Sequence, residues 1–197
     1  MKTDFKIAWA TIIALAILSL VMAFTAVARG NQPTLTDRIA ALVPHYASKK
    51  DEPVDAQAFA AAVAQASKGN RDWAALISTV AISESGLSKR ISENRCKNWE
   101  CDSHKVDGEV QWKAAGLWQQ HRNQNNAATW GSPDLQVQAT DAARMLRGAF
   151  YRCQPRGTLR ADWVGRTLSA YAGRRCDADW SGLAPRLATF ARVRGRL

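Results

Sequence analysis

The 197-residue sequence lacks the short motifs that identify several large classes of enzyme. It has no glycine-rich phosphate loop, no dinucleotide-binding glycine pattern and no arrangement of aspartate, histidine and nucleophile. It also has no internal repeats, and its only compositionally biased tract is one alanine-rich stretch. These absences give no support to nucleotide-dependent chemistry or to triad-type hydrolysis, and we expect no cofactor.

Acidic residues are scarce. The chain has 17 aspartates and glutamates against 27 lysines and arginines, a formal net charge of +10. Such a balance predicts an anionic partner, and nucleic acid, an anionic membrane face and acidic cell-wall polymer all qualify. The length allows one ordinary domain plus an appendage, and the 47% of hydrophobic residues is enough for a packed core.

Charge is absent from the stretch Ile7–Ala28, which follows Lys2 and Lys6. Twenty-two residues without charge are long enough to span a bilayer. The small residues of Ala26–Ala28 before Arg29 also fit a signal-peptidase site, so a cleaved signal and an uncleaved anchor both remain open. Either interpretation predicts export to the periplasm or cell envelope, with inner-membrane anchoring through this helix if it is retained.

Cysteines are few and none forms a C-x-x-C pair, which argues against a zinc site built from all four. All four lie beyond the apolar stretch, in a compartment where disulfides persist. Of the three pairings that four cysteines allow, we favour Cys96 with Cys101 and Cys153 with Cys176. Each of these pairs closes a segment that otherwise lacks regular structure. No metal site is expected.

The remaining sequence predicts a mainly α fold with a small strand and loop region. We divide the chain into a signal peptide or anchor (1–28), a linker with a short helix (29–54) and a helical domain (55–197). The helix in the linker is expected over Thr36–Val43, before Pro44. The domain's helices are predicted from Asp55 to a stop at Gly69, over Asp72–Ser83, from a Ser132 cap through Tyr151, over Ala161–Ala172 and over Leu183–Val193. A long polar loop, Gly86–Ala115, has short strands expected around Glu109–Trp112.

One carboxylate stands out, because Glu84 continues the apolar face of the predicted helix over Asp72–Ser83. That face carries Leu76, Ile77 and Val80. A carboxylate in such a place is costly unless something pairs with it or uses it. Glu84 is therefore either a helix-end group that caps or forms a salt bridge, or a functional acid.

Two further segments suit a carbohydrate site. In the stretch 116–119, Gly-Leu-Trp-Gln, an aromatic ring stands beside an amide, which matches the apolar face and polar groups of a sugar. Tyr171 falls on the buried face of its predicted helix, so its hydroxyl needs a partner, and a protonated or ionised carboxyl would serve.

Together these motifs resemble the lysozyme-like domain of soluble lytic transglycosylases and goose-type lysozymes. The resemblance rests on Glu-Ser-Gly at 84–86, Gly-Leu-x-Gln at 116–119 and Ala-Tyr-x-Gly at 170–173, in that order. It covers roughly Asp55–Gly173. Trp118 replaces the family's usual methionine, and the family's Ala-Tyr-Asn-Ala-Gly is shortened here to Ala-Tyr-Ala-Gly without its asparagine.

The resemblance implies a lysozyme-like α+β fold and cleavage of the MurNAc–GlcNAc bond of peptidoglycan. It makes Glu84 the catalytic acid and base, and Tyr171 the residue that holds its carboxyl. Ser85 would orient the acid or the substrate, and Gln119 would contact the glycan near the cleavage site. Trp118 is the aromatic residue that we expect to stack on a sugar, ahead of Trp99, Trp112 and Trp130.

Hydrolysis by two carboxylates requires a second acid group. Carboxylates of the long loop could supply it, but no pattern marks one of them out: Glu93, Glu100, Asp102, Asp107 and Glu109. A transglycosylase of the resembling family needs no second carboxylate, because the C6 hydroxyl of the muramoyl sugar attacks and an anhydro-sugar forms. One well-placed acid without a clear partner therefore favours a lytic transglycosylase.

Three alternatives remain open: a lysozyme-type hydrolase, a phage endolysin, and a catalytically silent envelope protein that binds glycan. Export and the lack of a recognition motif argue against a nucleic-acid binder. The C-terminal arginines are interpreted as a solvated face that could also hold the protein against an anionic envelope: Arg186, Arg192, Arg194 and Arg196. The expected partners are peptidoglycan glycan strands, and the membrane through the N-terminal helix. The sequence does not indicate an oligomeric state.

Overall fold

A computed structural model of the chain describes residues 17–19, 32–96, 101, 103–106, 109–123, 126–154, 160–173, 175–177 and 182–197. The chain divides into two compact units, Met1–Thr34 and Leu35–Leu197. In the first unit residues 17–19 are helical, and the rest of the predicted signal or anchor segment lies outside the described residues. No helix among the residues described has the length and apolarity needed to cross a bilayer.

The second unit is mainly helical, as predicted. Its described helices are α1 (Leu35–Ala40), α2 (Leu42–Tyr46), α3 (Ala56–Ala66), α4 (Arg71–Ser85), α5 (Lys89–Ser92), α6 (Leu135–Cys153), α7 (Trp163–Gly173) and α8 (Leu183–Arg196). Two antiparallel pairs of short strands lie between α5 and α6: β1 (Ser103–Val106) with β2 (Glu109–Trp112), and β3 (Ala114–Ala115) with β4 (Gln120–His121). The predicted long loop, Gly86–Ala115, thus contains a helical turn, the strand pair β1–β2 and strand β3, while β4 follows it.

Helix α4 lies at the centre of the unit and contacts α1, α3, α6 and α8. It begins because the Asn70 side chain accepts a hydrogen bond from the Trp73 backbone N–H at 3.0 Å, which satisfies a free donor of the first turn. It ends at Gly86, whose left-handed φ of 58° is easily reached only by glycine. Leu76 and Ile77 are fully buried on its face. The predicted helix is confirmed and extends through Glu84.

An aromatic cluster joins α4 to three other helices. Trp73 of α4 lies 5.7 Å from Phe150 of α6 and 5.9 Å from Trp163 of α7, measured between ring centroids. Trp163 in turn lies 6.4 Å from Phe190 of α8. Because edge-to-face aromatic pairs add about 0.5–1.5 kcal/mol each to the burial of the rings, this cluster holds α8 against the rest of the domain.

The predicted domain boundary at residue 55 lies inside the second compact unit. Ile39 of α1 is fully buried, and Leu42 and Val43 of α2 are at most 2% exposed. These side chains share one core with α3 and α4, so residues 35–54 are part of the domain rather than a linker. Pro44 does not end a helix; it lies in the first turn of α2, where its missing N–H costs little.

Helix α6 begins two residues later than its predicted cap. The Asp134 side chain, not that of Ser132, accepts hydrogen bonds from the backbone N–H groups of Gln136 and Val137 at 2.7 and 3.4 Å. A carboxylate at this position satisfies two free donors and meets the positive end of the helix dipole. The predicted helix is confirmed, and its apolar face packs into the core, where Ala139 is fully buried.

Both predicted disulfides are present. Cys96 pairs with Cys101 in the segment after α5, and Cys153 at the end of α6 pairs with Cys176 after α7. All four cysteines are thereby used, which overturns the alternative of a four-cysteine zinc site. Two disulfides indicate a protein that matures in an oxidising compartment.

Thiol titration tests these pairings. The unreduced protein, unfolded in denaturant so that buried sulfur reacts, should show no free thiol, and the reduced protein should show four. Peptide mapping without reduction should then recover Cys96 joined to Cys101 and Cys153 joined to Cys176. Two or more free thiols in the unreduced protein would contradict the assignment.

Candidate active site

The side chain of Glu84 lies at the C-terminal end of α4, where it meets Arg186 of α8. Arg186 Nη2 donates a hydrogen bond to Glu84 Oε1 at 2.6 Å. Both side chains are largely withdrawn from solvent, with 16% of Arg186 and 21% of Glu84 exposed. The helix-end carboxylate therefore has a charged partner 102 positions away in sequence.

Two opposing effects act on the acidity of Glu84. Burial disfavours the charged carboxylate and raises the pKa of Glu84, while the positive charge of Arg186 lowers it. Burial is the larger effect, so the pKa stays above its ordinary value. A carboxyl with a raised pKa keeps its proton closer to neutral pH, as a general acid must.

Tyr171 is part of the same site. The predicted contact between its hydroxyl and the Glu84 carboxyl is absent from the described hydrogen bonds. Its hydroxyl donates its one proton to the backbone carbonyl of Trp118 at 2.9 Å. Burial and the negative charge of Glu84 both raise the pKa of Tyr171, so the phenol remains neutral. Tyr171 is thus electrostatically coupled to Glu84 while it binds the segment 116–119.

The prediction that Trp118 stacks on a sugar is wrong for this structure, because its side chain is fully buried. The indole Nε1 donates to the Ile77 carbonyl at 2.9 Å, and the ring stacks on Phe59 with centroids 6.1 Å apart. An aromatic ring with no exposed surface cannot contact a ligand. Trp118 instead occupies the core between α3 and α4.

Gln119 is the member of this segment that remains partly exposed. Its Nε2 donates to the Gly116 carbonyl at 3.0 Å and to Cys101 Sγ at 3.2 Å. Its backbone has a left-handed φ of 46°, a conformation that costs a residue with a side chain about 1–3 kcal/mol. Backbone strain of this kind is common at functional sites. The side-chain amide oxygen Oε1 of Gln119 accepts no hydrogen bond from the described residues.

Ser85 has a structural role rather than the predicted orienting one. Its hydroxyl donates to the Ala81 carbonyl at 2.8 Å and accepts from the Leu87 backbone N–H at 3.3 Å. The side chain is 7% exposed. Its one proton is therefore committed within α4, and the hydroxyl supports the turn that ends the helix after Glu84.

Sequence reasoning missed two amides that shape the segment 116–119. Gln138 of α6 accepts from the Leu117 backbone N–H at 2.9 Å and donates to the carbonyls of Ser92 and Ser132, each at 2.8 Å. Asn94 Oδ1 accepts from the Gly116 backbone N–H at 2.9 Å. Gln138 is a buried amide on the apolar face of its helix, and that pattern was a signal for its role.

Arg186 was also missed, because it was grouped with the solvated C-terminal arginines. The structure separates it from them: Arg186 is mostly buried against Glu84, whereas Arg192, Arg194 and Arg196 are exposed. A signal was present in the sequence, since Arg186 falls in the first turn of its helix, where the dipole disfavours a cation.

Among the described residues, none of the remaining predicted carboxylates and tryptophans forms a hydrogen bond or ion pair with Glu84. Glu93 ends α5 and forms an ion pair with Arg95, while Glu109 and Trp112 lie on β2. Trp130 is partly buried, and its Nε1 donates to the Gln120 carbonyl at 2.8 Å. Trp99, Glu100, Asp102 and Asp107 lie outside the described residues.

No cluster of metal-ligating side chains is found in the described ranges. Comparison of the chain with protein-family models, with curated proteins and with solved structures finds no match in any of the three.

Gly116 offers a test of the segment 116–119. It has a φ of +71°, and a Cβ added there would lie 2.4 Å from Gln138 Oε1. We expect Gly116→Ala to lower the free energy of unfolding by about 2–5 kcal/mol, from backbone strain together with overpacking. Denaturant unfolding measures this change.

The matched control is Gly148→Ala in α6, where the added Cβ meets nothing within 4 Å. An exposed helical glycine replaced by alanine should gain about 0.5–1 kcal/mol of stability, so the two changes should have opposite signs. Equal effects from both substitutions would show that the packing of Gly116 against Gln138 does not constrain the segment.

Proposed function

We propose that the protein is an exported peptidoglycan-cleaving enzyme that cuts the MurNAc–GlcNAc glycosidic bond with Glu84 as its acid and base, and that it acts as a lytic transglycosylase. The observation that carries the proposal is the environment of Glu84. It is a largely buried carboxyl at the end of an apolar helix face, with a raised pKa and a cation bound to one oxygen.

That environment suits the chemistry of glycosidic cleavage. The leaving oxygen needs a proton from an acid that stays protonated near the working pH, and burial supplies such an acid. The neutral Tyr171 phenol adds no negative charge to the site. Gln119 adds a polar side chain with an amide oxygen that a sugar hydroxyl or N-acetyl N–H could meet.

A single acid favours the transglycosylase over the two-carboxylate hydrolase. Within the described residues no second carboxylate contributes to the pKa of Glu84, and Glu93 is occupied by Arg95. In the proposed reaction Glu84 gives its proton to the glycosidic oxygen as the bond to C1 of the muramoyl sugar breaks. The C6 hydroxyl then bonds to C1 and returns its proton to Glu84, so the enzyme ends as it began.

The proposed location follows from the disulfides and the charge. Two disulfides suit an oxidising compartment outside the cytoplasm. A net charge of +10 suits long-range attraction to an acidic wall polymer, and the exposed arginines of α8 contribute to it.

Replacement of the acid tests its role. Glu84→Gln keeps the shape of the side chain but has no transferable proton, and we expect glycan cleavage to fall by about 100-fold or more while glycan binding is retained. Product formation from purified peptidoglycan and co-sedimentation with it measure the two effects. Glu52→Gln, at a salt bridge with Lys89 on the surface, is the matched control and should leave cleavage unchanged.

The fold of the Glu84→Gln variant is expected to survive at neutral pH. Because the folded-state pKa of Glu84 is raised, the carboxyl stabilises the protein fully below its unfolded-state pKa, and that stability is lost as pH rises through the folded-state pKa. Glutamine has no such loss and its amide oxygen can still accept from Arg186, but the largely buried guanidinium loses its anionic partner. We therefore expect the variant to fold at pH 7 with a lower thermal midpoint than the wild type. Full cleavage by this variant would overturn the assignment of Glu84.

Mass spectrometry of the products separates the candidate reactions. We expect digestion of purified peptidoglycan by the full chain to give anhydro-muropeptides, because the C6 hydroxyl and not water attacks. Products with reducing ends would replace the transglycosylase with a lysozyme-type hydrolase and require a second acid in the loop 86–115. Intact glycan that retains bound protein would replace catalysis with glycan binding.

A further inference from the structure

Arg186 reaches Glu84 from a helix that the sequence resemblance does not include. The resemblance ends near Gly173, whereas Arg186 belongs to α8 (Leu183–Arg196). Helix α8 packs against α4 and α7, the two helices that carry Glu84 and Tyr171. The C-terminal helix therefore completes the site around the carboxyl.

Local preferences do not explain where Arg186 stands. The first turn of a helix exposes unpaired N–H groups and a partial positive charge, which disfavour a cation by about 0.3–1 kcal/mol. The first turn of α8 contains no acidic residue, and its cap residue, Gly182, makes no side-chain cap bond. The tertiary contact with Glu84 therefore places a cation where the helix itself disfavours one.

Stability does not explain the pair either. Only 16% of the Arg186 side chain and 21% of the Glu84 side chain are exposed. Ion pairs this far from solvent lose about as much in desolvation as they gain by attraction, and apolar residues often replace them without loss. The pair fixes the position of the Glu84 carboxyl and places a positive charge beside it.

We propose that Arg186 is the positioning residue of Glu84: it holds Oε1 and leaves Oε2 as the oxygen that exchanges the proton with the glycan. Arg186 Nη2 lies 2.6 Å from Oε1, and no described residue makes a hydrogen bond to Oε2. The inference rests on the proposed function, and it makes α8 a part of the catalytic machinery.

The charge of Arg186 matters as well as its contact. When Glu84 gives up its proton it becomes a carboxylate in a poorly solvated place, and the adjacent guanidinium stabilises that product. Burial and Arg186 thus act in opposite directions on the pKa of Glu84. Among the described residues Tyr171 is a further titratable group coupled to Glu84, and burial and the charge of Glu84 keep it neutral. The raised pKa favours the protonated acid, and the adjacent guanidinium favours release of its proton.

Helix α8 is held firmly enough for this task. Phe190 packs against Trp163 in the aromatic cluster, and Arg194 Nε bonds Asp72 Oδ1 of α4 at 2.6 Å. At the far end Arg38 Nη1 of α1 donates to the Leu197 carbonyl at 2.7 Å. These contacts fix the helix independently of Arg186, so a substitution at Arg186 should leave α8 in place.

Three substitutions in the full chain test the proposal. Arg186→Gln removes the charge, Arg186→Lys keeps it with a different geometry, and Arg192→Gln removes an equal charge from an exposed position six residues along the same helix. Cleavage of purified peptidoglycan is followed from pH 4 to 9, with thermal unfolding as the check on folding.

We expect Arg186→Gln to lower the maximal rate at least about 10-fold and to move the high-pH limb of the profile upward by about one pH unit, because Glu84 loses the charge that lowers its pKa. Arg186→Lys should restore the high-pH limb and part of the rate, and Arg192→Gln should leave the high-pH limb where it lies in the wild type, whatever its effect on attraction to the glycan. A slower Arg186→Gln enzyme with an unmoved limb would reduce Arg186 to a structural role and overturn the proposal. So would an Arg192→Gln enzyme that behaves like Arg186→Gln.

A titration that does not depend on glycan cleavage tests the role of Arg186 separately from the proposed function. The side-chain carboxyl carbon of Glu84 is followed by ¹³C NMR against pH, with Glu84→Gln as the assignment control. An upward move of its midpoint in Arg186→Gln supports the inference, and an unmoved midpoint overturns it, whether or not the wild type cleaves glycan. Absence of any product from the wild type would overturn the proposed function alone.

Discussion

The arrangement of the site depends on the burial of one indole ring. Trp118 lies in a chain segment without regular structure, yet its ring is fully enclosed between α3 and α4. Full burial of a large side chain contributes about 1.5–3 kcal/mol, and the Nε1 bond to the Ile77 carbonyl satisfies its polar atom. The Trp118 backbone carbonyl, in turn, receives the Tyr171 hydroxyl. One residue therefore links α3, α4, α7 and the segment that presents Gln119.

Around that anchor, the site is assembled from parts that are far apart in sequence. Glu84 comes from the end of α4, Tyr171 from α7 and Arg186 from α8. Their electrostatic effects are connected, since the charge of Glu84 raises the pKa of Tyr171 and the charge of Arg186 lowers the pKa of Glu84. A buried acid with one adjacent cation is a more specific arrangement than an acid in an apolar pocket alone, because the cation opposes the effect of burial.

The helices and disulfides could be predicted because their signals are local or few in number. The apolar period through Leu76 and Val80 and a terminating Gly86 are enough to define α4. Four cysteines allow only three pairings, and the favoured one closes two segments that lack regular structure. The fates of Trp118, Ser85 and the Tyr171 hydroxyl were not predictable in this way. Each depends on which groups pack beside it, and a hydroxyl has several acceptors within reach of its one proton.

The sequence by itself determined the mainly helical character of the domain and the presence of a carboxyl at the end of an apolar helix face. These follow from periodicity, capping residues and composition, which act over a few neighbouring positions. Only the tertiary structure decided that Glu84 meets Arg186, that Trp118 belongs to the core and that Tyr171 binds a backbone carbonyl. Such contacts join residues tens of positions apart, and their partners are selected by packing of whole helices rather than by any local pattern.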